Sequence, residues 1–428
     1  MSVDQQQSAG ASEPAGPGEP SGSEPEPATD SPLTQYVTAM RRQRRWYLLI
    51  VGGIVAVAVV VVAVVMATGE ISHVQLHPAT SPAPQIRPAQ LNPTPKLAWQ
   101  SSDATAIGEP FYQGTVVTYS THAAVGRNAL TGAIRWSYTR TDRVVCTVTQ
   151  QQGKVLAIFA KDGNCDEVTT LDTATGKRLG VRTLVDNGHP VFTALPDTLV
   201  ITTPEAVHAI DPDSGYDRWL YQQPDGCRTA GVALGAGGAL IGQQCADGGH
   251  LLLRDRYASA DDKNTQVKWR LSGVDSIPLA AENMALALDP STGGLVSYDL
   301  ARGAVKSRTP LSPRPVSSAS VSQLATTTAE LIQIGETTYT VTPTGAAVLW
   351  TASTRGLPTV NPGGELAQPP PLVGATVLAA SASGVVSLDG STGSVQRTFS
   401  VPAAPSGSRV FPVGTGFLVA GSRTQVYQ

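Results

Sequence analysis

From about residue 96 onward the chain is written in short runs of apolar and β-branched residues separated by polar turns. Gly114-Thr115-Val116-Val117-Thr118-Tyr119 and Asp197-Thr198-Leu199-Val200-Ile201-Thr202-Thr203 are typical, and neither spaces its apolar residues as a helix would. Runs of this length and composition predict strands. They recur in a unit of about 40 residues: an apolar strand, a turn of Asp or Thr ending in Gly, and a further strand that often carries Trp. The unit is seen at Ala129-Leu130-Thr131-Gly132 before Trp136 and at Leu171-Asp172-Thr173-Ala174-Thr175-Gly176. It returns at Ile210-Asp211-Pro212-Asp213-Ser214-Gly215 before Trp219, Thr342-Pro343-Thr344-Gly345 before Trp350, and Leu388-Asp389-Gly390-Ser391-Thr392-Gly393. Degenerate copies are Tyr298-Asp299-Leu300-Ala301-Arg302-Gly303 and Leu253-Arg254-Asp255 with a polar turn before Trp269. Trp99, Trp136, Trp219, Trp269 and Trp350 thus sit at or near one point of the repeat.

Several short strands per copy at this period predict an all-β propeller, in which each four-stranded blade buries its faces against its neighbours. In the turn, Asp or Thr bonds forward to backbone N–H groups and Gly supplies the positive φ that closes it. Gly416 to Ala420 and Thr424 to Tyr427 read as a blade lacking its last strand, and Lys96-Leu97-Ala98-Trp99-Gln100 as a last strand with nothing before it. Together they make one blade, which ties the termini and removes open sheet edges. With seven further turns near residues 130, 172, 211, 257, 301, 344 and 391, the expected count is eight blades. It falls to seven if the weak copies between about 225 and 330 are divided differently.

Three segments of other composition precede the propeller. Residues 1–45 form a Pro-, Gly-, Ser- and Glu-rich tail whose acids are Asp4, Glu13, Glu19, Glu24, Glu26 and Asp30 and whose only cations are Arg41, Arg42, Arg44 and Arg45 at its end; such a tail is expected to be disordered. Residues 46–68 are an apolar run led by Trp46 and Tyr47, about 20 helical residues being enough to cross a bilayer. The arginines before it predict a cytoplasmic N-terminus and an extracytoplasmic propeller in a single-pass cell-membrane protein. A cleaved signal ending near Ala67 is the rival, although its apolar core would be unusually long. Residues 69–95 carry Pro78, Pro82, Pro84, Pro88, Pro93 and Pro95 and read as a semi-extended spacer. The propeller is expected over 96–428.

The four cysteines lie in the propeller as Cys146 with Cys165 and Cys227 with Cys245. The two pairs are offset by about two repeat lengths, so they are read as corresponding places in blades two apart. That selects disulfides Cys146–Cys165 and Cys227–Cys245, each worth about 3 kcal/mol by loop closure and suited to an oxidising compartment. A zinc site is disfavoured, because there is no CxxC and no His is read close to the cysteines at ligand spacing.

The unit Leu-Asp-x-x-Thr-Gly followed by Trp resembles the quinoprotein-type, or PQQ-like, β-propeller repeat over about residues 96–428. That family includes quinone-cofactor dehydrogenases and cofactor-free members that help assemble outer-membrane proteins. Its enzymes are known for an adjacent Cys-Cys pair, an Asp base and calcium ligands. No two cysteines are adjacent here, so no PQQ ligand, and no other cofactor or metal ligand, is assigned.

Catalytic residues are not assigned either. His73, His77, His122, His189, His208 and His250 are scattered, and no HExxH occurs. His208 reads as a strand residue. Asp211 to Asp217 alternates carboxylates as a calcium loop begins, but it lacks the acid at the twelfth position and reads as a plain turn. Gly235-Ala236-Gly237-Gly238 lies between strands, with no helix to receive a phosphate. A net charge of −3 without a basic patch excludes nucleic acid as a partner. The expected function is a non-catalytic, membrane-anchored envelope scaffold that binds a protein or cell-wall polymer. The alternatives are a PQQ-dependent or other small-molecule enzyme, or a sensor of an extracellular ligand.

Overall fold

The computed structural model describes residues 46–47, 50–60, 73–87, 89–184, 190–195, 197–256, 267–315, 321–361 and 371–428. The chain divides into two compact units, Met1–Gly69 and Glu70–Gln428. In the first, residues 46–47 and 50–60 are helical, with Trp46, Tyr47 and Ile50 exposed. The tail and the rest of the apolar run lie outside the described residues. Among those described, no helix is long and apolar enough to cross a membrane.

The second unit consists of eight antiparallel blades, which settles the count between eight and seven. Blade I is built on Thr115–Tyr119, Ala123–Asn128 and Ile134–Arg140, with a broken inner strand at Ala104–Thr105 and Phe111–Tyr112. Blade II runs Val144–Gln151, Lys154–Lys161, Asn164–Asp172 and Arg178–Thr183, and blade III Val191–Leu195, Thr198–Thr202, Ala206–Ile210 and Asp217–Gln222. Blade IV is Cys227–Gly235, Gly238–Cys245, Gly248–Arg254 and Val267–Ser272. Blade V is Ile277–Ala281, Ala285–Asp289, Gly294–Tyr298 and Val305–Pro310. Blade VI is Val321–Ala325, Glu330–Ile334, Thr337–Val341 and Val348–Ser353, and blade VII Thr359–Asn361, Thr376–Ser381, Gly384–Asp389 and Val395–Phe399. Blade VIII takes Arg409–Val413, Gly416–Ala420 and Thr424–Tyr427 from the C-terminus and Leu97–Ser101 from the N-terminal side, as expected.

The core lies between blades. Each of the eight interfaces holds its own apolar cluster, from Trp136, Tyr138, Val155 and Phe159 between blades I and II to Val116, Val413, Leu418 and Val426 between VIII and I. The cluster between VIII and I closes the ring. The first strands of neighbouring blades touch one another, so they line the axis, and the fourth strands form the circumference.

The repeat turn joins the third and fourth strands and works as its sequence implies. In blade II, Asp172 Oδ1 accepts from Thr175 N at 2.8 Å and Thr175 Oγ1 at 2.6 Å, and Gly176 N donates to Asp172 O at 2.7 Å. Asn128 takes the Asp role in blade I, accepting from Leu130 N and Thr131 N at 3.0 and 3.1 Å. The turn near residue 257 in blade IV lies outside the described residues.

The same turn receives the tryptophan of the preceding blade. The indole N–H groups of Trp99, Trp136, Trp219, Trp269 and Trp350 each donate to a turn carbonyl of the next blade, at 2.8–3.1 Å. The rings of Trp99, Trp136, Trp269 and Trp350 lie against the turn glycines Gly132, Gly176, Gly303 and Gly393, where a Cβ would come within 2.5–2.8 Å of the ring. Blades II, V and VII lack the tryptophan, and at II and V other contacts take its place. The Arg182 guanidinium stacks 4.1 Å from the Tyr216 ring centroid, and Thr309 Oγ1 donates to Gly345 O at 2.9 Å.

The segment read as a spacer is pinned to the propeller from Val74 onward. Val74–His77 pairs antiparallel with Ile134–Arg140, adding a fifth strand to the circumference of blade I. Residues 78–87 and 89–95 then form a strap: Ala79 N donates to Thr175 O, Ala89 N to Gly414 O and Asn92 N to Thr415 O, at 2.7–2.8 Å. Ala83 is buried, and Ile86 and Leu91 pack into the interfaces of blade VIII. Prolines suit this path, because a chain crossing a surface makes few backbone bonds and each Pro lacks one donor.

Candidate functional site

A propeller offers two faces. The turn face carries the first-to-second and third-to-fourth strand connections, and the crossover face carries the second-to-third connections and the links between blades. Over blades II, I and VIII the strap lies on the turn face, where Pro84 O abuts Gly114 in the first turn of blade I. An open cleft of about 440 Å³ borders the strap, lined by Gln90, Leu91, Asn92, Pro93, Arg397 and Thr415.

The turn-face carboxylates are spent locally. Hydrogen bonds from Thr392 N and Ser391 N hold the Asp389 carboxyl below the usual carboxylate range. Asp211 behaves as the plain turn expected: burial would raise its pKa, but donors from Asp213 N, Ser214 and Arg218 prevail and lower it. Glu330 is different. It starts the second strand of blade VI, is 1% exposed, and its Oε2 has no hydrogen-bond partner among the described residues. Burial, with Glu282 of the neighbouring turn in blade V adding to it, raises its pKa to about 8.

The crossover face holds both predicted disulfides. The pairing is as read from the spacing, and the blades are II and IV, two apart. The second cysteines are not equivalent, however. Cys165 lies on the third strand of its blade, reaching past the second strand at a bulge, whereas Cys245 lies on the second strand directly opposite Cys227. Beside Cys165 runs a buried ion network. Arg140, 1% exposed, binds Asp142 through Nε and Nη2 at 2.9 and 3.0 Å and Glu167 through Nη1, while Arg143 Nε stands 3.3 Å from Glu167 Oε2. Burial opposes the Arg140 charge, but the bonds to Asp142 and Glu167 outweigh it and raise its pKa.

Around Cys245 the structure assembles something the sequence did not suggest. The turn from Cys245 to Gly248 folds the third strand back so that His250, five residues on, faces Cys245 with Asp247 beside it. A ring nitrogen of His250, a carboxylate oxygen of Asp247 and Cys245 Sγ all lie within 4.8 Å of one another. The reading that no histidine approaches the cysteines at ligand spacing is thus corrected: the hairpin supplies one. The other histidines stand apart. His208 is a buried strand residue with Nδ1 3.1 Å from Asp217 Oδ1, His122 Nδ1 meets Arg143 O at 2.7 Å, His73 precedes the added strand and His77 ends it. His189 lies outside the described residues.

A ring of eight blades, five of them clasped to the next by an outer-strand tryptophan bonded to its repeat turn, defines a PQQ-like β-propeller. The sequence profile of the family described as outer membrane protein assembly factor BamB matches residues 89–236 and 166–399. The chain belongs to that family. Solved structures of similar fold include BamB from Moraxella catarrhalis (17% identity, 78% of this chain and 100% of that one, TM-score 0.48). Others are the computationally designed Ika8 protein (14%, 78% and 98%, 0.51) and Sqt1 from Saccharomyces cerevisiae (12%, 80% and 98%, 0.49). No curated protein matches the chain.

Proposed function

We propose that this protein is a non-catalytic scaffold of the cell envelope, anchored by its N-terminal apolar run, whose propeller binds a protein or cell-wall polymer on the crossover face. The observation that carries the choice of face is the strap. It occupies the turn face over three adjacent blades, while the crossover face presents connections of unequal length on a rigid ring, the usual place for recognition. Membership of a family described by an assembly factor supports contact rather than turnover. Buried Arg140 and Glu167 are engaged in a structural pair that needs no substrate to explain it.

Photo-crosslinking residues placed at Glu205, Asp225 and Glu336 on the crossover face should each trap the same envelope component in the native cell, and residues placed at Thr344 and Ser391 on the turn face should not. Trapping only from the turn face would overturn the choice of face. Mixing the purified protein with PQQ and calcium should give neither a bound-cofactor absorbance nor dye-linked alcohol oxidation; stoichiometric binding with turnover would replace the scaffold by an enzyme. For the anchor, protease added to spheroplasts should cut the propeller while sparing residues 1–45, and the reverse pattern would refute the topology.

A further inference from the structure

We infer that reduction of the Cys227–Cys245 disulfide creates a zinc site whose four ligands are the Cys227 and Cys245 thiolates, His250 Nε2 and Asp247 Oδ1. Three observations converge on it. The two cysteines are directly opposed on paired strands with Cα atoms 3.9 Å apart, so both sulfurs occupy one spot on the crossover face. A ring nitrogen of His250, a carboxylate oxygen of Asp247 and Cys245 Sγ lie within 4.8 Å of one another, and His250 Nε2 is 3.1 Å from Asp247 Oδ1. That nitrogen is buried and, despite the nearby carboxylate, makes no hydrogen bond among the described residues. It is a donor atom held 3.1 Å from a carboxylate without the alignment of a hydrogen bond.

Nitrogen, oxygen and sulfur donors around one point are a coordination geometry. Zinc takes sulfur at about 2.3 Å and nitrogen or oxygen at about 2.0–2.2 Å, which places tetrahedral ligands about 3.4–3.8 Å apart. The Cys245, Asp247 and His250 atoms need to close by about 1 Å and the two sulfurs to part once reduced, and Asp247 lies on an exposed turn where it can move. Two thiolates with one imidazole and one carboxylate suit zinc among the common divalent ions.

While the disulfide is intact its sulfurs are neutral and donate poorly, so the site is closed by oxidation. A phosphine opens it: the S–S bond breaks, phosphorus is oxidised to the phosphine oxide with oxygen from water, and two thiols form. Zinc then displaces both thiol protons to solvent. Among the described residues the other disulfide has no such neighbours, since Asp166 and Glu167 beside Cys165 are bound by Arg143 and Arg140.

The test uses the full chain carrying Cys146→Ser and Cys165→Ser, reduced with a phosphine and titrated with Co2+ as a coloured stand-in for zinc. One equivalent should produce a thiolate-to-cobalt charge-transfer band and intense tetrahedral d–d bands, both abolished by Zn2+; the unreduced protein should produce neither. Adding His250→Ala should weaken Co2+ binding at least about tenfold. A reduced protein without the charge-transfer band, or a His250→Ala titration that overlays its parent, would overturn the inference. Should circular dichroism show that the variants misfold, the reduced natural chain is alkylated with and without Zn2+. Protection of Cys227 and Cys245 but not of Cys146 and Cys165 supports the site, and equal protection of all four, or of none, overturns it.

Discussion

The indole nitrogen of Trp136 in blade I donates to the carbonyl of Thr173 in blade II at 2.8 Å, while its ring lies where a Cβ on Gly176 would stand. Blade packing and turn geometry are therefore one contact. Trp136 is 1% exposed, so Trp136→Ala should cost about 3–5 kcal/mol in chemical denaturation. Trp136→Phe keeps most of the ring but orphans the carbonyl, for a loss of about 1–3 kcal/mol. Gly176→Ala should also destabilise, because its φ of +70° disfavours any Cβ and the ring would be struck at 2.5 Å. If Gly176→Ala were neutral, the ring would not be clasped as described.

That contact explains what was legible in the chain. Trp and the Asp–Gly turn are local signals repeated by a common packing need, so the blade count and the ring closure could be read from them. Where a local signal occurs off the repeat, sequence alone misleads. Leu288-Asp289-Pro290-Ser291-Thr292-Gly293 matches the unit better than Tyr298 to Gly303, yet it turns between the second and third strands of blade V and lies on the crossover face. The cysteine pairs were legible as pairs, but equal sequence offsets do not fix the strand each residue occupies. The strap was hidden because its contacts are with residues far along the chain, such as Ala89 with Gly414. His250 was hidden because nearness to Cys245 depends on a hairpin, not on a motif.

The network at Arg140 predicts an asymmetric mutational response. Arg140→Met leaves Glu167, 3% exposed, with only Arg143 to compensate it, at a cost of about 3–5 kcal/mol. Adding Glu167→Leu to that variant removes the buried charge and should recover more than half of the loss. Denaturation of the two single variants and the double variant measures the coupling. A double variant no more stable than Arg140→Met would show that packing, rather than the unpaired carboxylate, sets the cost.

Glu330 predicts a pH dependence of stability. Its carboxyl is raised to about 8 by burial and by Glu282, whereas in the unfolded chain it titrates near 4.3. Between those values the folded protein holds a proton that the unfolded chain has released. Its contribution is therefore fully present below about pH 4.3 and lost as pH rises to about 8, a decline on the order of 3 kcal/mol between pH 5 and 8. Glu330→Gln should flatten that part of the stability profile and be the more stable protein at pH 8. Parallel profiles for the two proteins would contradict the burial of an unpaired carboxyl.

The added strand of blade I predicts a local rather than a global effect. Gln75 has an exposed side chain, and its backbone faces Thr139 in the pairing of Val74–His77 with Ile134–Arg140. Gln75→Pro removes a backbone donor and disfavours the pairing while leaving the apolar side chains of Val74 and Leu76 in place. The outer edge of blade I then becomes a bare strand, which invites pairing with other chains. Hydrogen exchange should speed up in the peptide covering Ile134–Arg140, most at amides that bond toward Val74–His77, with little change in blades IV to VI. Light scattering should reveal concentration-dependent association that the parent lacks. Unchanged exchange in Ile134–Arg140 would mean that this segment does not cap the blade, and that the strap is held by its other contacts, such as those with Thr175, Gly414 and Thr415.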